Sequence, residues 1–161
     1  MDNIKLPKCI YQKAKTFCIT FEDGMEFDKG ITILNNLKRH LKYQFDGTDI
    51  EGNIVMCVSE YKHGGFYIPM KIETGVKGRP KKVAFEFKKI GSLGRVNPHI
   101  HGIINVNKSN KISKAIRDYS NKLQNKKTVK FNNIDESKGG YGGSLNYMTD
   151  QTDKFRTVEL E

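Results

Sequence analysis

The chain has 161 residues and a mass of 18.4 kDa, and 28 Lys and Arg against 18 Asp and Glu give it a formal net charge of +10. That length is typical of one domain, and 37% hydrophobic residues can form one core, which excludes the disordered and fibrous classes. No apolar run approaches the ~20 residues of a membrane helix, and the N-terminus lacks the apolar centre of a signal peptide. We therefore expect a single domain over residues 1–161, soluble and intracellular, with no membrane partner.

Most of the positive charge lies between residues 71 and 130. This segment holds sixteen Lys and Arg against three acidic residues, a local net charge of +13. Because each phosphate that a basic residue neutralises releases a condensed counterion, such a segment fits a polyanionic ligand. The alternative is a solvated lysine-rich surface that confers only solubility.

The first half of the chain predicts four strands and one helix. Residues 15–21 are rich in β-branched and aromatic side chains and end before a turn, as a strand would. Apolar residues then recur at helical spacing over residues 30–43, with Asp28 as the predicted N-cap. The further strands are predicted at residues 53–61, 66–72 and 82–88.

The second half predicts a strand at 99–106, a helix at 110–124, a short strand at 128–131 and a glycine-rich loop at 139–143. Ser144 then caps a last short helix that contains Tyr147. This order of elements predicts an α+β fold, an antiparallel sheet with helices packed mainly on one face. The other face would stay open for a ligand.

Two histidines lie on one side of the strand at 99–106. Alternate side chains of a strand share a face, so His99, His101 and Ile103 point one way while Ile100 and Ile104 point to the core. Two neutral imidazoles side by side can ligate one divalent metal. The alternative is a pair of surface histidines without a ligand.

Glu86 is the predicted third ligand. Residues 82–88 and 98–106 flank a Gly-Ser-Leu-Gly segment typical of a hairpin turn, and a turn centred there would place Glu86 opposite His99. Glu60 is the competing carboxylate. Strand alternation groups Glu60 with core-facing residues, unless a β-bulge reverses that parity.

These motifs resemble the HUH endonucleases, named for two His around a hydrophobic residue, and among them the rolling-circle replication initiators (Rep). The resemblance lies in Pro98-His99-Ile100-His101-Gly102-Ile103-Ile104, in the first strand motif TFCITF at residues 16–21, and in Tyr147 on a later helix. It implies a ferredoxin/RRM-like sheet fold and nicking and joining of single-stranded DNA or an origin hairpin through a 5′-phosphotyrosine intermediate. Mn or Mg would be held by His99, His101 and Glu86, and Tyr147 would be the nucleophile.

Other residues near the predicted site have less specific roles. Lys88, Lys89, Arg95, Asn97 and Lys154 are candidates for holding the DNA backbone. Asp150 and Gln151 follow Tyr147 at helical spacing and could reach the metal or orient a phosphate. Tyr141 is interpreted as a loop residue or base-stacking platform rather than a second nucleophile.

Two further functions fit the same residues. A single-tyrosine HUH transposase would use the same chemistry, usually across a dimer, and a non-catalytic nucleic-acid-binding module would need only a basic sheet face. The resemblance also leads us to expect either an isolated Rep nuclease domain or a small initiator that depends on a separate helicase. It would work in the cytoplasm of a prokaryotic host, or in the host cell of a virus.

Overall fold

The computed structural model describes residues 7, 9–62, 65–72, 82–89, 94–149, 151–152 and 154–161. The described residues form seven strands, three α-helices and a 3-10 helix at Glu136–Lys138. The strands are β1 Lys15–Phe21, β2 Gly52–Lys62, β3 Gly65–Ile72, β4 Lys82–Lys89, β5 Gly94–Val106, β6 Lys126–Asn133 and β7 Phe155–Leu160. The helices are α1 Phe27–Phe45, α2 Ser109–Asn121 and α3 Gly140–Thr149. The predicted α+β class is confirmed.

Five strands form an antiparallel sheet in the order β6-β1-β5-β2-β7, and β3 pairs with β4 in a separate two-stranded sheet. The strand with the two histidines is therefore central, with β1 on one side and β2 on the other. One row of paired positions crosses all five strands and contains Lys130, Cys18, His101, Cys57 and Phe155. Residues at paired positions share a face, so this row defines the histidine face of the sheet.

Helices α1 and α2 cover the opposite face. The helix residues Leu34, Leu37 and Ile116 pack in one core with alternate residues of the central strands, including Ile54 and Ile100. The alternation of β5 thus sends Ile100 into the core and its neighbours His99 and His101 to the other side, as predicted. Burial of the apolar stripes of α1 and α2 explains why these helices form despite many surface lysines.

Helix α3 lies on the histidine face, which was predicted to be open. This is the main difference between the predicted and the observed fold. Tyr141, Leu145 and Met148 of α3 form a second core with apolar residues of three strands, namely Val55, Cys57, Ile103 and Phe155. Val55, Cys57 and Phe155 lie on β2 and β7, to one side of the histidine strand, and Ile103 lies on β5 itself. The histidine face is therefore covered on that side, because its strand residues there are apolar and need a partner.

Three local predictions are wrong. Segment 139–143 is not a loop, since α3 begins at Gly140, and Ser144 lies inside that helix and is not its cap. The N-cap of α1 is Glu26, and Asp28 lies in the first turn of the helix. Strand β7 was not predicted; its Phe155 packs in the second core and its Val158 and Leu160 pack in the core under α1 and α2. Of the helices in the described part of the chain, none combines the length and apolar character needed to cross a membrane.

Candidate functional site

His99 and His101 lie side by side on the histidine face. Their ring centroids are 4.3 Å apart and the rings are nearly perpendicular, at 84°. His99 is paired with Thr20 on β1 and Ser59 on β2, and His101 is paired with Cys18 and Cys57 on the same two strands. The predicted common orientation of the two imidazoles is confirmed, and their neighbours on both adjacent strands have small side chains.

The orientation of His99 is set by Asn97. The Nδ1 atom of His99 lies 3.1 Å from the backbone carbonyl oxygen of Asn97, so Nδ1 carries a proton and donates it. In the neutral ring, Nε2 is then the nitrogen with the lone pair. The amide of Asn97 donates to the carbonyl oxygens of Phe21 and Glu22, both at 3.0 Å. This use of the amide within the fold does not support the predicted contact of Asn97 with DNA.

His101 is held in its neutral form. Burial lowers the pKa of His101 to about 3, with repulsion from His99 acting in the same direction. The side chain of Gln151 approaches His101 and opposes this shift. Even so, Nε2 of His101 and both side-chain polar atoms of Gln151 are buried and meet hydrogen-bond geometry with no described residue. Buried polar atoms without partners are costly, so this cluster is suited to a ligand that would satisfy them.

Tyr147 stands over this pair. Its ring centroid is 6.2 Å from that of His101, at an interplanar angle of 89°, and 41% of the residue is exposed. The phenol is therefore both next to the imidazoles and accessible from solvent. Sequence spacing alone did not predict this contact, because it depends on α3 packing on the histidine face.

Tyr141 has a different environment on the same helix. It is only 5% exposed, packs in the second core, and its hydroxyl oxygen has no hydrogen-bond partner among the described residues. Burial raises the pKa of Tyr141. The interpretation of Tyr141 as a loop residue or base-stacking platform is wrong, because its ring is a core side chain of α3.

Glu86 is not opposite His99. The predicted hairpin of residues 82–88 with 98–106 is wrong: β4 pairs with β3, and Glu86 is in register with Ile68. The argument from register therefore no longer supports Glu86 as the third ligand. Its side chain, and those of Lys88, Lys89 and Arg95, lie outside the described residues.

Glu60 lies beside the N-terminal end of α1. The register of β2 with β5 shifts between Ser59 and Tyr61, and Glu60 lines a cleft of about 530 Å³ with Asp28 of α1 and with Pro98. Among the described residues, no group of three or more His, Cys, Asp or Glu is arranged to hold a metal. Gln151 is the polar side chain that the structure brings to His101 instead.

The remaining predicted residues have different outcomes. Lys154 is exposed in the segment that leads into β7, and Asp150 lies outside the described residues. Lys130 was missed: it is exposed on edge strand β6, in the same row as His101 and two strands away. The strand at 128–131 was predicted, but its position beside β1 has no local signal in the sequence.

Comparisons with protein-family models, with curated proteins and with solved structures found no match for this chain.

Proposed function

We propose that this chain is a metal-dependent endonuclease that nicks and joins single-stranded DNA, and that it initiates rolling-circle replication through a 5′-phosphotyrosine intermediate. One observation above all supports this function: an accessible phenol, Tyr147, stands beside a pair of imidazoles, His101 and His99, on one face of a sheet. The resemblance of residues 98–104 to the HUH motif supports the same assignment. A module that only binds nucleic acid has no need of this cluster.

The donor set suits a divalent cation, Mn or Mg. His101 is neutral, and its buried Nε2 has no hydrogen-bond partner among the described residues. His99 would contribute Nε2, since its Nδ1 donates to Asn97. The amide oxygen of Gln151 would be a third ligand, in place of Glu86. When bound, the cation would act as a Lewis acid that polarises a phosphate oxygen.

Tyr147 would be the nucleophile. A phenol attacks a phosphate poorly unless it is held in line with the scissile bond, and the helix places Tyr147 in a fixed position over the site. Attack by the phenolic oxygen forms an oxygen–phosphorus bond, and the phenolic proton passes to solvent. The bond from phosphorus to the 3′-oxygen breaks, and that oxygen takes up a proton. The phosphotyrosine ester conserves the bond energy, so a 3′-hydroxyl can later reverse the reaction.

The DNA strand would cross the histidine face over β1 and β6, on the side away from α3. The described side chains there are hydroxyls, a thiol, an amide and an ammonium group, namely Thr16, Cys18, Thr20, Thr128, Lys130 and Asn132. None of these six residues is acidic, and Lys130 and Asn132 are exposed. They can contact phosphate and sugar groups without reading a base sequence. The opposite side of the histidine pair is closed by α3.

Formation of a covalent protein–DNA adduct tests the proposal. Wild-type protein is incubated with Mn²⁺ and a randomised single-stranded oligonucleotide library, and adducts that survive denaturing electrophoresis are recovered and sequenced. We expect an adduct with the wild type and none with Tyr147→Phe. Tyr141→Phe is the matched control on the same helix and retains the adduct, because Tyr141 is buried. The proposal fails if the wild type forms no adduct with Mn²⁺ or Mg²⁺, or if Tyr147→Phe still forms it.

A further inference from the structure

Residues 96–98 of β5 lack regular pairing on both sides. The ladder of β5 with β1 ends at the pair Thr20 and His99. On the other side, the pairing with β2 jumps from Ser59 opposite His99 to Tyr61 opposite Arg95. Three residues of β5, from 96 to 98, thus face a single residue of β2. Pro98 has no backbone N–H and cannot donate to either neighbour. The backbone immediately before His99 therefore needs another support.

The side chain of Asn97 provides that support. Its amide nitrogen donates to the carbonyl oxygens of Phe21 and Glu22, each at 3.0 Å, just beyond the point where the ladder of β1 with β5 ends. Glu22 is itself anchored, since its backbone N–H donates to the carbonyl of Asn125 at 2.9 Å. The half-buried Asn97 is thus joined to the end of β1 at two points.

The same residue presents its own carbonyl to His99. The distance from this oxygen to Nδ1 of His99 is 3.1 Å, and a carbonyl oxygen can only accept. A backbone carbonyl that is held in place selects the Nδ1–H tautomer and leaves the lone pair of the neutral ring on Nε2. Outer partners of this kind orient histidine ligands in metal sites generally.

We infer that Asn97 is a positioning residue: through two side-chain hydrogen bonds to β1 it fixes the carbonyl that holds His99 in the Nδ1–H tautomer, with Nε2 directed toward the site. The tautomer is a property of the metal-free protein. Its consequence for metal binding rests on the proposed function. Asn97 itself touches neither a metal nor a substrate.

The test measures the tautomer of His99 directly. Protein labelled with ¹⁵N-histidine is freed of metal with a chelator, and long-range ¹H–¹⁵N spectra distinguish a protonated Nδ1 from a protonated Nε2. His99→Gln identifies the signals. We expect wild-type His99 to be protonated at Nδ1, and Asn97→Ala to give a mixture of both tautomers. We also expect Asn97→Ala to weaken Mn²⁺ binding by about tenfold.

Asn107 offers a matched control. It braces the other end of β5 in the same way, donating to the carbonyl of Asp49 at 2.9 Å and accepting from the N–H of Glu51 at 3.0 Å. Asn107→Ala should therefore lower stability to a similar extent while leaving the His99 spectrum and Mn²⁺ affinity unchanged. Equal changes in both variants would mean that Asn97 acts only on stability, and would overturn the inference.

Two further results would also overturn it: a wild-type His99 protonated at Nε2, or an Asn97→Ala spectrum identical to that of the wild type. If Asn97→Ala does not fold, the wild-type spectrum still decides the tautomer. Asn97→Ser, which keeps one hydrogen-bond donor, is then measured in place of Asn97→Ala. Because the spectra need neither metal nor DNA, their outcome is separate from that of the adduct experiment.

Discussion

The ring of Phe17 on β1 occupies the space in which Gly102 on β5 would carry a side chain. A Cβ atom added at Gly102 would overlap Cε1 and Cζ of this ring. The two residues are paired across the strands, and Phe17 is buried in the core beneath the sheet. The glycine between His101 and Ile103 thus lets the core close beneath the histidine pair.

We therefore predict that Gly102→Ala lowers the free energy of unfolding by about 3 kcal/mol, because the core would be overpacked. Urea unfolding measures this change. Phe17→Leu should reduce the cost of Gly102→Ala in the double variant, since the clashing ring atoms are gone. Gly142→Ala on α3 is the control: an added Cβ has no neighbour within 4 Å, so stability should be unchanged or slightly raised. A small effect of Gly102→Ala would contradict the packing described.

Gln151 should lower the stability of the metal-free protein and strengthen metal binding. Its two side-chain polar atoms are buried and have no hydrogen-bond partner among the described residues, so Gln151→Met should stabilise the metal-free protein by about 1 kcal/mol while weakening Mn²⁺ binding at least tenfold. Thermal unfolding in chelator and calorimetric Mn²⁺ titration measure the two effects. Gln124→Met, at an exposed position, should change neither. Unchanged Mn²⁺ affinity in Gln151→Met would exclude Gln151 as a ligand.

Lys130 should contribute more to DNA binding than a lysine on the opposite face of the sheet. Lys130→Ala should weaken binding of a single-stranded oligonucleotide and make the slope of log K against log salt shallower by about 0.7, as for one lost phosphate contact. Lys114→Ala removes the same charge from an exposed position on α2, which packs against the other face. Fluorescence anisotropy at several salt concentrations compares them. Equal losses would indicate that only the net charge matters.

His101 should make the metal-free protein less stable as the pH falls. Its pKa is lowered from 6.5 to about 3 in the folded state, so below pH 6.5 the unfolded chain binds a proton that the folded chain does not. Stability should fall between pH 6.5 and pH 3, with a contribution from His101 that approaches about 1.4 kcal/mol per pH unit.

His101→Gln isolates this contribution. The groups around His101 are His99 on the same strand, Cys18 and Cys57 on the neighbouring strands, and Tyr147 and Gln151 above it. These groups remain in the variant, so the difference between the two stability curves reports His101. Urea unfolding in chelator from pH 7 to pH 4 should show a shallower dependence in His101→Gln. Parallel curves would show that the pKa of His101 is not lowered in the folded state.

Local sequence patterns were sufficient to predict much of this fold. The bounds of β1 were predicted as the structure has them, and the common face of His99 and His101 follows from the alternation of a strand. Helices α1 and α2 were recognised from apolar spacing, with ends that differ by a few residues. These features depend on backbone geometry and on neighbours close in the chain, both of which a sequence displays.

Contacts between elements that are distant in the chain were decided only by the tertiary structure. The glycine-containing sequence between β4 and β5 predicted a hairpin, but β5 forms its hydrogen bonds with β1 and β2 and β4 pairs with β3. The same holds for α3: its glycines were typical of a loop, yet burial of Tyr141, Leu145 and Met148 against the sheet stabilises a helix there. That packing brings Tyr147 and Gln151 to His101. The sequence by itself thus determined that two imidazoles share a face, whereas nonlocal strand pairing and burial decided which side chains surround them.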